Sequence, residues 1–351
     1  MPDLDLLNER IIARVLYMSS GTPENVRIEK RRSGLRFDEA DEVIHWSVNS
    51  VAEQVFLDNF SCYLPLGERF FVDSVRYFEN RITNKILKEE VKYFIYQEAQ
   101  HSISHQKFNQ VLFSNNKLAH FSELYIQLLL TIARNLYSKR FQLSFTSAAE
   151  HFTAIISDWL LTNEEAFLRK NKPAVARMWV WHAIEETEHK SVAFDVFAEV
   201  TRNKYYAYFL RVMGMLILTI SLFPAMAINM PLIYLGSRDY QFRTGKDRPV
   251  IATTGKHAAI KNQPHEQATA QVTNETSPTR QIRGSSLKYI VRLIYKVSRP
   301  YLQYYRFSFH PWQHDNSHLL NAVKAKFDFD AVVQRQEITS MEASSLTGNS
   351  Y

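Results

Sequence analysis

An all-α fold is what this sequence predicts: a four-helix bundle with extra helices and an apolar helical hairpin. Three observations carry the expectation. The 351 residues include only 9 glycines and 11 prolines, so little interrupts helix formation. Apolar residues between 50 and 205 recur at three- and four-residue spacing, as in Val91, Phe94, Ile95 and then Phe108, Val111, Leu112. Two separate segments each carry a Glu-x-x-His pair, Glu98 with His101 and Glu186 with His189.

The elements follow in order. Residues 1–50 form a mixed, charged N-terminal extension with a basic cluster at Lys30, Arg31 and Arg32. The opening MPDLDLLNER lacks a basic start followed by an apolar run, so no cleaved signal peptide is expected. Residues 51–205 read as the helical bundle that holds the chemistry. Pro65 and Gly67 predict a turn before a helix beginning near Glu68. Asn115 and Asn116 predict a break, and Asn171 to Pro173 another, with Pro173 at a first helical position. Residues 206–240 hold a run from Val212 to Gly236 with no charged side chain, long enough to span a bilayer. Pro224 and Pro231 break that run, and basic residues flank both ends, so a hairpin is expected. It is either monotopic in a membrane or buried in the globule. Residues 241–285, rich in Thr, Gln, Asn, Ser, Lys and Pro, predict a flexible linker. Residues 286–335 turn apolar and aromatic again and predict a helical segment packed on the bundle, followed by a disordered tail over 336–351.

Composition bounds the function. A net charge of +6 and a pI near 9.1 fit an anionic membrane surface or an acidic substrate. No dense basic stripe interleaved with aromatics is present, so no nucleic-acid partner is expected. The lone Cys62 excludes an internal disulfide and a cysteine-held cluster, and it fits a reducing compartment. The expected location is cytoplasmic, peripheral or monotopic at the inner membrane.

The chemistry lies in QEAQHSISH and HAIEETEH. On a helix, residues three or four apart share a face, so each Glu-x-x-His can address one metal ion. One such pair in a charged helix is usually a solvated surface. Two on otherwise apolar helices are a stronger signal. A two-metal bundle then needs one carboxylate from each remaining helix. Glu68 precedes Phe70, Phe71 and Val72, and Glu150 sits among small and apolar residues in TSAAEHFTAII. A lone carboxylate on such a face is costly to bury without a cation. Glu79, Glu89, Glu90 and Asp158 are the competitors, with Glu89 and Glu90 read as solvated. His182 shares a face with Glu186 and His189 and is either a ligand or a core histidine. His105, four residues after His101, either ligates or orients a ligand. Glu185 and Glu188 are expected beyond the ligands or in solvent, and His151 is expected to point away from Glu150. His310 and His314 in FSFHPWQHD read as an aromatic corner rather than ligands.

The stretches PLGERFF, FIYQEAQHSISHQKFN, AAEHFTA, WHAIEETEHKSVAFDVF and FSFHPWQHD resemble the bacterial family named predicted metal-dependent hydrolase, placed in the ferritin-like superfamily. The resemblance covers roughly residues 25 to 330 apart from the linker, and it implies a ferritin-like four-helix bundle. The ligand order is also similar to that of di-iron N-oxygenases acting on aryl amines: a single Glu, Glu-x-x-His, a single Glu, then His-x-x-x-Glu-x-x-His. Here those positions are Glu68, Glu98 with His101, Glu150, and His182 with Glu186 and His189. His105 and the long apolar run depart from that pattern.

The expected function is a di-metal carboxylate enzyme with two irons, or manganese or a mixed Mn/Fe pair. It would activate O2 with an outside electron donor and act on a small hydrophobic substrate, with Glu68 and Glu150 as bridging or terminal carboxylates. The alternative is a two-metal hydrolase of an ester or phosphate, with zinc as the fitting ion. A third is a non-catalytic metal or oxygen sensor.

Overall fold

In the computed structural model the described residues are 21–37, 43–47, 50–244 and 298–332. Residues 1–20, much of the expected linker, the start of the C-terminal segment and the expected tail lie outside them. The described elements are helical, and an isolated β-bridge joins Ser47 and Asn171.

Helix α1 runs Val51–Arg76 and is capped by Ser50, whose Oγ accepts the Glu53 amide at 3.1 Å. It continues straight through Pro65, so the turn expected at Pro65 and Gly67 is absent. The reason is a neighbour. Proline has no amide for the Ser61 carbonyl, and the Asn109 side chain donates to that carbonyl instead, at 2.8 Å. Glu68 therefore sits well inside a long helix rather than at the start of one.

Helix α2 is Lys85–Asn115, capped by Asn84, and it ends at the expected Asn115 and Asn116. Helices α3 (His120–Leu136) and α4 (Lys139–Thr162) follow, the latter capped by Ser138. The short α5 (Glu164–Lys170) leads to α6 (Pro173–His189), which carries Pro173 in its first turn as expected. α7 is Val192–Val200. α1 packs along α2 and α4 along α6, while α1 also meets α4 and α2 meets α6. Phe70, Phe94, Phe108, Trp179 and Trp181 fill the space between these helices.

The expected hairpin over 206–240 is instead one helix, α8, spanning Lys204–Thr244 with Pro224 and Pro231 inside it. It lies lengthwise against the other helices, whose side chains donate to its carbonyls. Tyr125 reaches Ser221 at 2.7 Å, Asn59 reaches Met226 at 3.0 Å and Asn116 reaches Ile233 at 2.8 Å. Lateral support of this kind lets a helix carry prolines without turning back. Gly214 permits the close approach, since a Cβ there would stand 3.0 Å from the Ser144 carbonyl of α4.

The end segments close over these helices. Residues 29–35 lie along α2, with the Ser33 amide donating to Gln100 at 3.0 Å and Lys107 donating to the Leu35 carbonyl at 3.2 Å. From the C-terminal side, Tyr304 is fully buried, and α9 (Ser317–Lys326) packs on α4 and α6.

Candidate metal centre

Four helices converge their acidic and imidazole side chains on one buried volume. α1 supplies Glu68, α2 supplies Glu98, His101 and His105, α4 supplies Glu150, and α6 supplies His182, Glu186 and His189. Ligand atoms lie within 4.8 Å of one another in the sets His101, His182, Glu186 and Glu98, Glu150, Glu186, His189. Glu68 joins Glu98 and His101 in a third set and His105 and His182 in a fourth. Glu186 belongs to both of the first two sets.

The orphaned atoms test whether a metal suits this volume. Both oxygens of Glu68, Glu98 and Glu150, with Nδ1 of His101 and Nε2 of His182 and His189, are buried and lack a hydrogen-bond partner among the described residues. His189 Nε2 stands 2.9 Å from Glu98 Oε1, close enough for an ion pair but without hydrogen-bond alignment. His101 Nδ1 and His182 Nε2 stand 3.4 Å and 3.3 Å from Glu186 Oε1. Buried carboxylates crowded in this way are costly unless cations lie among them. Oxygen and imidazole donors suit hard or borderline divalent ions, so the residues present fit a metal pair.

A second layer fixes which atoms point inward. His101 Nε2 bonds Glu185 Oε2 at 3.0 Å, leaving Nδ1 for the centre. His189 Nδ1 bonds Gln97 Oε1 at 2.7 Å, leaving Nε2. His182 Nδ1 bonds His105 Nε2 at 3.0 Å, and His105 Nδ1 meets Ser61 Oγ at 2.9 Å. Both nitrogens of His105 are thus engaged, which makes it the residue that orients His182. Thr153 donates to Glu186 Oε2 at 2.5 Å and leaves Oε1 facing the histidines. Such outer partners set tautomer and ring orientation.

Behind this layer sits an ion network. Arg31 bonds Glu185 at 3.0 Å and Glu188 at 2.8 Å, and Lys324 reaches Glu188 at 2.7 Å. Gln97 Nε2 also donates to Glu188 Oε2, at 2.8 Å. Glu185 and Glu188 are therefore buried behind the candidate ligands, and the solvent half of the expectation for them is corrected: Arg31 pairs with both and Lys324 with Glu188.

The electrostatics follow from burial. Glu68 and Glu150 are pushed well above the usual carboxylate range, first by burial and then by the charge of Glu98. Burial alone would lower His101, but its bond to Glu185 and the nearby Glu186 carboxylate, 3.4 Å from Nδ1, outweigh that and raise it to about 10. His189 is likewise raised, against burial, by Glu186 and Glu98. His105 falls to about 3 through burial and then the charge of His101.

The remaining candidates lie elsewhere. Glu89 is exposed and pairs with Lys92 at 2.6 Å. Asp158 pairs with His314 at 3.3 Å, and His310 with Asp195 at 2.9 Å beside Phe194, so both C-terminal histidines build a corner away from the centre. His151 turns to the Pro300 carbonyl at 3.0 Å. Sequence reasoning missed Gln97, Thr153, Ser61 and Arg31 as parts of the site. Thr153 lies three residues after Glu150 on the same helical face, which is a readable signal. Arg31 stood out only as one of a basic cluster, because its partners lie far along the chain.

A family model described as "Predicted metal-dependent hydrolase" matches residues 29–315, which include every residue of this cluster. No curated protein and no solved structure matches the chain.

Proposed function

The chain belongs to the predicted metal-dependent hydrolase family, and on that premise we propose that it is an enzyme cleaving an ester or phosphate bond at a two-metal centre. The ligands would be Glu68, Glu98, His101, Glu150, His182, Glu186 and His189. One observation carries this reading: the orphaned, buried oxygens and nitrogens of six of these side chains, all but Glu186, meet in one volume with it. Bound there, two divalent ions would supply Lewis acidity and lower the pKa of water.

The chain's own groups have separate tasks. The four glutamates would balance the positive charge of bound ions. Glu185, Gln97 and His105 hold the outer nitrogens of the three imidazoles, so each presents one fixed nitrogen inward. Trp181 and Phe94 stand edge-on to His101 and His189, each with ring centroids 5.0 Å apart, and exclude bulk water from that side. A dry setting strengthens every charge interaction in the centre.

A second reading, an O2-activating oxidase or oxygenase with two irons, manganese or a mixed pair, is favoured by the donor set. It contains four glutamates and no aspartate, all on helices. Elemental analysis of freshly purified protein separates the two, combined with ester and phosphate screening and O2 uptake. Zinc or manganese, cleavage and indifference to O2 are expected. Two irons per chain, an O2-dependent spectral change and no cleavage would overturn hydrolysis in favour of oxidation.

A further inference from the structure

Two neighbouring helices turn apolar stripes to the outside. On α3, Leu128 and Leu136 are 60% and 75% exposed, and no charged side chain lies between Glu123 and Arg134. On α8, Ile220 and Ile228 are 72% and 66% exposed. The exposed positions of α8 include Leu216, Ile220, Phe223, Ala227, Pro231 and Tyr234. Their spacing of three and four makes one continuous stripe. From Phe209 to Leu235 that stripe is about 39 Å long at 1.5 Å per residue. The one charged residue between Lys204 and Arg238 is Arg211, and it is buried, donating to the Tyr304 and Arg306 carbonyls. Only 33% of the most apolar 18-residue stretch of α8 is buried, unlike a core helix.

The two stripes run alongside each other. Tyr125 of α3 donates to the Ser221 carbonyl of α8 at 2.7 Å, and Asn116, just before α3, donates to the Ile233 carbonyl at 2.8 Å. Residue number rises along one helix as it falls along the other, so the pair is antiparallel.

Both ends of this face are basic. The antiparallel pairing brings the residues that follow α3 to the start of α8, where exposed Arg140 and Arg202 line one depression with Arg81 and Tyr206. Glu199 lines it too, but its Oε1 accepts from the Thr83 and Asn84 amides and the Thr83 hydroxyl. Among the described residues no carboxylate pairs with these three arginines. At the opposite end Lys117 and Arg238 are exposed.

We propose that the outer face of α3 and α8 docks on a bilayer containing anionic lipid, with α8 lying in the plane of the interface. An apolar stripe between basic ends matches an acyl boundary bordered by phosphates. A crossing helix would have to release Tyr125, Asn59 and Asn116, which hold the inner side of α8 at Ser221, Met226 and Ile233. A second copy of the chain is disfavoured by charge. Either orientation of two α8 helices sets a basic end against a basic end, and like charges across an interface repel. The docking is independent of the chemistry at the metal centre.

The test is flotation of the purified full chain with phosphatidylcholine vesicles, with and without phosphatidylglycerol. Wild type should float with the anionic vesicles, float less with phosphatidylcholine alone, and be released by salt. Leu128→Gln with Ile220→Gln should weaken binding to the anionic vesicles about tenfold per residue replaced. Arg140→Gln with Arg202→Gln should weaken it about fivefold per charge removed and leave binding to phosphatidylcholine unchanged. All four sites are exposed, so the circular dichroism of both variants should match wild type. Failure of wild type to float with anionic vesicles, or undiminished flotation of both folded variants, would overturn the proposal. Equal binding with and without phosphatidylglycerol would overturn the anionic requirement. A concentration-dependent dimer by light scattering, without flotation, would assign the face to a second copy instead.

Discussion

At the scale of single residues, ligands and their supports separate by what each loss leaves behind. Glu98→Ala, His101→Ala or His189→Ala removes a donor from the centre, and each should lower bound metal sharply by elemental analysis. Retention of full metal in all three would disprove the ligand assignment. Glu188→Ala touches no orphaned donor, so metal should persist. It does leave the buried Arg31 short of a carboxylate, and loss of a partner in a buried pair costs about 3–5 kcal/mol. A lower urea midpoint with metal retained is the expected signature. Protons report on the same residues. Without a cation, Glu68 and Glu150, raised by burial and then by Glu98, keep their protons to higher pH than free carboxylates, and His101, at about 10, stays protonated at neutral pH. Metal ligation requires carboxylates and a neutral imidazole. Loading must therefore release protons, and apparent affinity should rise with pH, about tenfold per pH unit for each proton released. Titration across the neutral range with a chromophoric chelator checks this. A flat profile would show that the donors are already deprotonated.

At the scale of elements, α1 depends on α2 for its continuity. Asn109 supplies the donor that Pro65 cannot, and its Oδ1 also accepts from Ser61 Oγ, which in turn meets His105. Asn109→Ala should cost about 1–3 kcal/mol, the range for a buried acceptor left unpaired. In a Pro65→Ala background the helix regains its own amide, and the cost of Asn109→Ala should shrink. A double-mutant cycle by denaturant unfolding measures that coupling. Strict additivity would mean that the carbonyl finds water. α8 is held differently: Tyr125, Asn59 and Asn116 donate to its carbonyls at Ser221, Met226 and Ile233 and tie it laterally to the neighbouring elements.

At the scale of the whole molecule, the centre ties distant parts together. Residues 29–31 from the N-terminal side and Lys324 from the C-terminal side meet at Glu188, behind the ligands of α6. Metal should therefore stabilise more than the four ligand-bearing helices. An ion binding only the folded chain at about a hundred times its Kd adds about 2.7 kcal/mol. Removal by a chelator should lower the unfolding temperature in one cooperative step, and re-addition of the ion should restore it. A calorimetric trace unchanged by chelation would count against a shared metal core.

The sequence by itself determined the all-α class and marked seven acidic and imidazole residues as candidates, because helical periodicity is local. Spacings of three and four put Glu98 with His101, and His182 with Glu186 and His189, on shared faces before any tertiary contact is known. The rare carboxylates in apolar surroundings, Glu68 and Glu150, were legible because burial without a cation is costly. Tertiary structure alone decided the rest. Pro65 reads as a turn until Asn109, from another helix, supplies the missing donor. Pro224 and Pro231 read as a hairpin until three neighbouring side chains tie the carbonyls of Ser221, Met226 and Ile233 along one continuous helix. Arg31 and Gln97 gain their roles from partners roughly 90 to 160 residues away in the chain. Local spacing carries no information about such contacts, because only packing brings their atoms within hydrogen-bonding range.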